Sequence, residues 1–335
     1  MDFPAPPLRP PWWLRNGHTN TVYSFLRPRG VRLPPAQEDW IPLAPAADAA
    51  LLIRSHWQPR PAPAVLLIHG LEGSSEAGYM LTAAGLFLRQ GWHVARMNVR
   101  GCGDSEMRCA TLYNSGLSAD VAAALAWLAA RPGVTSLALA GYSMGGNLAL
   151  KFAGEAGRGD LATPPALRAI AAVSPCLDLA ACADALHRRV NYFYERRFLR
   201  HLARRLARHA ARFPGRYPVA RLRGLRSVRA FDDAFTAPFT GYRDADDYYQ
   251  RASAARVLAA IRLPTLVVHA EDDPFIRITP ASRAALAANP AIHFLATAHG
   301  GHCGFVGPRR NGEGVYWAEP RLLEFFRAAM APAAP

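Results

Sequence analysis

Lysine is almost missing from this chain. Lys151 is the only one, so all but one of its 39 Lys and Arg residues are arginine. No uninterrupted apolar run reaches the roughly 18–20 residues of a membrane span. Cysteine is sparse: the five, at 102, 109, 176, 182 and 303, are scattered and odd in number. That excludes a disulfide framework, and without a paired Cys-x-x-Cys it removes the usual structural zinc pattern. The N-terminus, Met1-Asp2-Phe3-Pro4-Ala5-Pro6-Pro7, lacks a positive stretch followed by an apolar one, so no secretory signal is visible. Reduced thiols and a cytoplasmic location are the expectation.

What is present is a large apolar content. At 335 residues and 51% hydrophobic composition the chain can bury a sizeable core. Apolar runs at Val65–Ile68, Val134–Ala140, Ala169–Val173, Leu263–Ala270 and Ile292–Ala296 read as buried strands, with helical patterns between them. Alternating strand and helix predicts an α/β fold: a mostly parallel sheet covered on both faces. The proline-rich stretches Pro4–Pro11 and Pro59–Pro63 read as connectors.

The chemistry centres on Gly141-Tyr142-Ser143-Met144-Gly145. By itself such a G-x-S-x-G arises by chance in about one chain in ten of this length. Its setting raises it, because an apolar strand precedes it and a helical pattern follows. A strand–turn–helix of this kind is a nucleophile elbow, which pushes a serine hydroxyl into the open at a helix N-terminus. Its glycines are expected because a Cβ there would strike the neighbouring strand and helix.

Three further segments stand in the right order. Val65–Ile68 runs into His69-Gly70-Leu71, the loop that in this arrangement lends a backbone N–H to an oxyanion hole. Leu71 N–H and Met144 N–H are therefore the expected donors. Leu263–Ala270 runs into Glu271-Asp272-Asp273-Pro274, where Asp273 is the expected acid and Asp272 the alternative. His299-Gly300-Gly301-His302-Cys303-Gly304 offers two histidines; His302, flanked by glycines, is expected as the base. The order Ser143, Asp273, His302 is that of the α/β-hydrolase triad, not of the chymotrypsin or subtilisin types. A metal reading of His-x-x-His-Cys lacks further ligands at compatible spacing. No metal and no organic cofactor is expected.

Charge is concentrated between Arg188 and Arg229, with fourteen arginines against one acid, Glu195. Leu199, Leu202, Leu206 and Phe213 recur there at helical spacing among Arg204, Arg205, Arg208 and Arg212, which predicts a basic amphipathic helix. Three readings stand side by side: a solvated lid helix, a lid touching anionic membrane at its inner face, and a nucleic-acid surface. The last is disfavoured because no nucleic-acid motif accompanies the charge.

Several segments go beyond the general pattern. Asn16-Gly17-His18-Thr19-Asn20-Thr21, Arg100-Gly101-Cys102 with Ser105, Tyr113-Asn114-Ser115-Gly116, Arg229–Thr236 with Gly241-Tyr242 and Tyr248-Tyr249, and Gly300–Phe305 together resemble the YheT-like group of α/β-hydrolases, the AB hydrolase 4 family, over about residues 11–330. The resemblance implies an α/β-hydrolase fold with an inserted helical lid and an esterase or lipase-type activity on small acyl esters or lipids. It puts the triad on Ser143, Asp273 and His302. Asn114 departs from the family's usual histidine and Asn20 from its usual glutamine. The expected organisation is an N-terminal segment 1–40 packed on the core, a core of 41–179 and 251–330, and a lid of 180–250. Acyl transfer to an alcohol with the same triad, or lipid binding without catalysis, are the alternative functions. The sequence gives no role for Asn16–Thr21 beyond packing under the lid, and it reads Arg100 and Asp104 either as braces of the site or, by preference, as partners in structural salt bridges.

Overall fold

A computed structural model of the protein describes residues 3–43, 49–310 and 314–331. Met1 and Asp2, residues 44–48 and 311–313 of the expected core, and the stretch beyond 331 lie outside the described residues.

The apolar runs form the middle of an eight-stranded sheet. Its strands are β1 (Gln37–Pro42), β2 (Ala50–His56), β3 (Ala62–Ile68), β4 (His93–Asn98), β5 (Val134–Tyr142), β6 (Leu167–Val173), β7 (Thr265–Ala270) and β8 (Ile292–Thr297). They lie side by side in the order β1-β2-β4-β3-β5-β6-β7-β8. β2 runs antiparallel to both neighbours, and every pairing from β4 to β8 is parallel. Parallel strands need covering helices on both faces, and both faces are filled. Leu66 and Ile68 of β3 point to one core with α3 (Ser118–Ala129) and α4 (Met144–Arg158). Val65 and Leu67 point to the other, with α2 (Gly78–Arg89) and α11 (Ala318–Met330). Pro63 does not lie in a connector as expected. It sits in β3 at a register irregularity between Ala62 and Ala64, where the strand tolerates a residue with no N–H to donate.

Two additions surround this frame. Before the sheet, α1 (Gly17–Leu26) packs across the loop after β8, and a hairpin of β9 (Val306–Arg310) and β10 (Gly314–Tyr316) follows that loop. Between β6 and β7 the chain leaves the sheet and builds the lid: α5 (Leu179–Leu186), α6 (Tyr192–Arg212), the short α7 (Val228–Phe231) and α8 (Ala237–Phe239), and α9 (Ala245–Ala252). The remaining helix, α10 (Pro280–Ala288), precedes β8. The lid's two ends are tied to each other: Ala255 N–H donates to Leu177 O at 3.0 Å, and Leu179 N–H donates to Ser253 Oγ at 2.9 Å. Asn147 of α4 holds the same neck, donating to Ser115 O and Ala252 O, each at 2.9 Å, and accepting from Ala254 N–H at 2.8 Å.

The arginine-rich helix is α6, and its apolar stripe faces inward. Leu202 and Leu206 are buried in the core, each worth roughly 1.5–3 kcal/mol of burial. Arg205 is buried with them rather than solvated. Among the described residues no helix is long and apolar enough to cross a membrane.

Candidate active site

Ser143 stands between β5 and α4 with φ 55° and ψ −117°, a conformation that L-residues rarely adopt. The flanking glycines make it possible. A Cβ on Gly141 would lie 2.1 Å from Gly145 O, and one on Gly145 would lie 2.5 Å from Ile68 O and His69 O. Ser143 thus stands at the N-cap position of α4, whose first N–H groups have no intrahelical acceptor.

The loops after β7 and β8 meet at this turn. Ser143 Oγ and His302 Nε2 are 3.0 Å apart, and His302 Nδ1 lies 2.8 Å from Asp273 Oδ2. A carboxylate can only accept, so Nδ1 carries the proton, and Nε2 is left to accept the serine hydroxyl. Asp273 Oδ1 accepts the N–H groups of Phe275 (3.1 Å) and Ile276 (2.9 Å), which fixes the carboxylate. Burial by itself would raise the Asp273 carboxyl; the charge and hydrogen bond of His302 outweigh it and hold it below the usual carboxylate value. For His302, burial opposes the charge, but the Cys303 sulfur and the Asp273 carboxylate favour it, and the imidazole lies well above its ordinary value. The alternatives weighed in the sequence sit elsewhere. Asp272 accepts from Gly301 N–H at 2.9 Å and lies 3.4 Å from His299, and neither reaches Ser143.

Leu71 and Met144 line the same cavity as Ser143, and among the described residues neither backbone N–H has an acceptor in the protein. The loop carrying Leu71 is set by His69, which donates from Nδ1 to Gly70 O (2.8 Å) and accepts Val99 N–H at Nε2 (3.1 Å). Burial drives His69 down to about 4, so it stays neutral and keeps that tautomer. The cavity measures about 110 Å³. Leu179, Leu186, Phe198, Leu202 and Val228 make an apolar wall, while Asn114, Asp232 and Thr236 form a polar corner. Asp232 begins a π-helical turn, Asp232–Thr236. Its carboxylate accepts the hydroxyls of Thr236 (2.6 Å) and Tyr249 (2.7 Å). Burial raises it to about 6, against the pull of those two donors.

The Asn16–Thr21 segment acquires a place that the sequence did not reveal. Asn16 caps α1 by accepting His18 N–H at 2.9 Å. Thr21 Oγ1 accepts His302 N–H at 2.8 Å and donates to Gly17 O at 2.6 Å. Asn20 Nδ2 donates to Val306 O at 3.4 Å, and Asn20 Oδ1 accepts Val306 N–H at 3.2 Å. The segment therefore grips the histidine loop from behind. Arg100 and Asp104 pair with Asp120 and Arg54 respectively, away from the serine.

Comparison with known proteins identifies the fold family. A family model described as alpha/beta hydrolase fold matches residues 63–307. YheT of Escherichia coli is 34% identical over 302 residues, which is 87% of this chain and 85% of that protein. Phospholipase ABHD3 of Mus musculus is 32% identical over 246 residues, 73% of this chain but only 58% of that longer protein. The structure of the Pyrococcus furiosus esterase Pf2001 aligns with a TM-score of 0.57, covering 98% of this chain and 100% of that one; at 15% identity it speaks for the fold alone.

Proposed function

Because the chain belongs to the α/β-hydrolase fold family, in its YheT-like group, we propose that it is a serine hydrolase that cleaves carboxylic esters through a covalent acyl-Ser143 intermediate. The observation that carries this reading is the unbroken chain of contacts from Ser143 Oγ through His302 to the buried Asp273. Ser143 Oγ attacks the ester carbonyl carbon while its proton passes to His302 Nε2. The carbonyl oxygen becomes an oxyanion facing Leu71 N–H and Met144 N–H, each donor worth roughly 3–4 kcal/mol. Collapse breaks the bond to the alkoxide, which takes the proton from His302 and leaves as the alcohol. Water then gives its proton to His302 and attacks the acyl-serine, releasing the carboxylic acid and restoring the hydroxyl. Asp273 holds the tautomer and the imidazolium and stays ionised throughout.

The apolar cavity wall suits the hydrocarbon of an acyl chain, and the naming of one relative as a phospholipase fits a lipid ester. Typical ligand pockets hold about 300–1,000 Å³, so the cavity of about 110 Å³ admits a short acyl group, and longer chains require the lid to move.

Fluorophosphonate labelling of the protein beside Ser143→Ala, followed by hydrolysis of p-nitrophenyl esters from acetate to laurate, tests the reading. Labelling confined to the unmodified protein, and a loss of kcat by about 10³–10⁶ in the variant, are expected. Full esterase activity in Ser143→Ala would refute it. Added ethanol separates the outcomes of the acyl-serine: ethyl ester formed beyond solvent competition would assign acyl transfer.

A further inference from the structure

The amphipathic order of α1 is inverted. The helix buries its small and polar face, Gly17, Asn20, Thr21 and Ser24, against the histidine loop and its surroundings. Its apolar face, Val22, Phe25 and Leu26 at helical spacing, is turned outward. Exposures are large: Trp12 81%, Phe25 66%, Leu26 68%, and Phe193 at the start of α6 83%. Single exposed apolar residues are ordinary, but a contiguous group marks an interaction surface.

Ring contacts connect α1 to α6, and Trp12 joins them as the chain neighbour of Trp13. The Trp13 ring packs on Tyr23 of α1 at 5.0 Å. The Arg197 guanidinium lies over the Phe25 ring at 4.7 Å, and Phe193 is one helical turn before Arg197. His18 stacks on Tyr194 at 5.7 Å. The patch therefore spans α1 and the first turns of α6.

Its rim is cationic. Residues 3–37 contain five arginines and no acid, and of these, among the described residues, Arg29 alone is buried in an ion pair, with Glu319. Among the described residues, Arg188, Arg189, Arg196, Arg197 and Arg200 have no carboxylate partner, whereas Arg205 and Arg208 further along α6 are paired. Exposed Trp, Phe and Leu framed by unpaired arginines match the interface of an anionic bilayer: rings enter the headgroup boundary, and guanidinium groups meet lipid phosphates.

We propose that the face formed by Trp12, Phe25, Leu26 and Phe193, with Arg196, Arg197 and Arg200, docks this protein on the surface of an anionic phospholipid bilayer. α6 links that face to the cavity. Phe198 and Leu202 line the cavity, and Tyr194 packs on Phe275 beside His302, while Phe193 and Arg197 point outward from the same turns. Docking thus sets one side of the lid helix on the lipid while its other side walls the site. The proposal concerns a surface and stands apart from the serine chemistry.

Co-sedimentation of the full chain with sucrose-loaded vesicles tests it, using phosphatidylcholine alone and phosphatidylcholine mixed with phosphatidylglycerol. Binding to the mixed vesicles, weakened by high salt, is expected. Phe25→Ser with Leu26→Ser and Phe193→Ser should lower partitioning about tenfold or more. Arg196→Gln with Arg197→Gln and Arg200→Gln should abolish the preference for phosphatidylglycerol. Quenching by brominated lipid should fall in Trp12→Phe. Thermal midpoints identify any variant that misfolds, and the serine and arginine sets are independent of each other. Three results would overturn the proposal: no binding to either vesicle, variants that bind as the parent does, or a dimer in sedimentation velocity that the serine set dissolves, which would make a second copy the occupant.

Discussion

Arg205 of the lid helix and Glu72 of the loop after β3 form a forked ion pair. Nε lies 3.0 Å from Oε1 and Nη2 3.3 Å from Oε2, with both side chains buried. Glu72 is the residue after Leu71 and holds φ 55°. Tyr113 OH donates to the same carboxylate at 2.5 Å, and Arg205 also donates to Gly101 O. The lid is thereby fastened to the loop whose Leu71 N–H faces the carbonyl in the proposed mechanism.

Arg205→Met should strand the Glu72 carboxylate. Removing one partner of a buried pair costs about 3–5 kcal/mol. Urea unfolding should show a loss of that order, and kcat on p-nitrophenyl esters should fall more than KM changes. Adding Glu72→Gln should recover much of the stability. A single variant as stable as the parent would sever the lid from the loop energetically.

On the proposed mechanism, Thr21 should bear on turnover without touching substrate. Thr21→Val leaves His302 N–H without its acceptor, a loss of about 1–3 kcal/mol that should appear as a fall in kcat with KM nearly unchanged. Thr21→Ser keeps the oxygen and should restore the rate. Equal kcat in Val and Ser variants would remove Thr21 from the positioning of His302.

The Asp232 carboxyl gives a pH signature of stability. Its folded value of about 6 lies above the ordinary 3.8, so the folded state binds the proton more tightly than the unfolded chain. The sign follows: this group's contribution grows as pH falls from about 6 toward 4 and is lost as pH rises through 6. Two units correspond to about 3 kcal/mol. Asp232→Asn should lack this dependence, so the difference between parent and variant in urea unfolding should shift toward the parent on acidification. A difference constant from pH 4 to 7 would contradict it.

Activity should have its own acid limb. His302 must be neutral to accept the serine proton, and its value is raised, so kcat/KM should fall on acidification with an apparent pKa above the ordinary 6.5. Cys303 Sγ lies 3.8 Å from Nε2, so Cys303→Ala should move that limb downward. A limb unmoved by the variant would leave Asp273 as the group that holds the imidazole up.

What was legible in the sequence was local. The central strands were readable because both their faces are buried and their apolar runs are continuous. Ser143 and the histidine loop were readable because glycines cluster where the backbone turns sharply. Thr21 and Arg205 were not, since their partners lie 281 and 133 residues away, and a threonine or one arginine among fourteen carries no local mark. Pro63 misled for a related reason: a proline is read as a break, yet an irregularity in β3 accommodates it. The amphipathic pattern of α6 was visible, but which arginine turned inward depended on Glu72, on another element.

The hydrogen bonds between Leu177 and Ala255 and between Leu179 and Ser253 close the neck of the lid on itself. The sheet therefore needs nothing from the intervening stretch to keep those ends together. Two anchor points thus frame a replaceable stretch: on the proposed function, helices of another length or lining grafted between them would change which acyl group is admitted, provided they keep an arginine to meet Glu72.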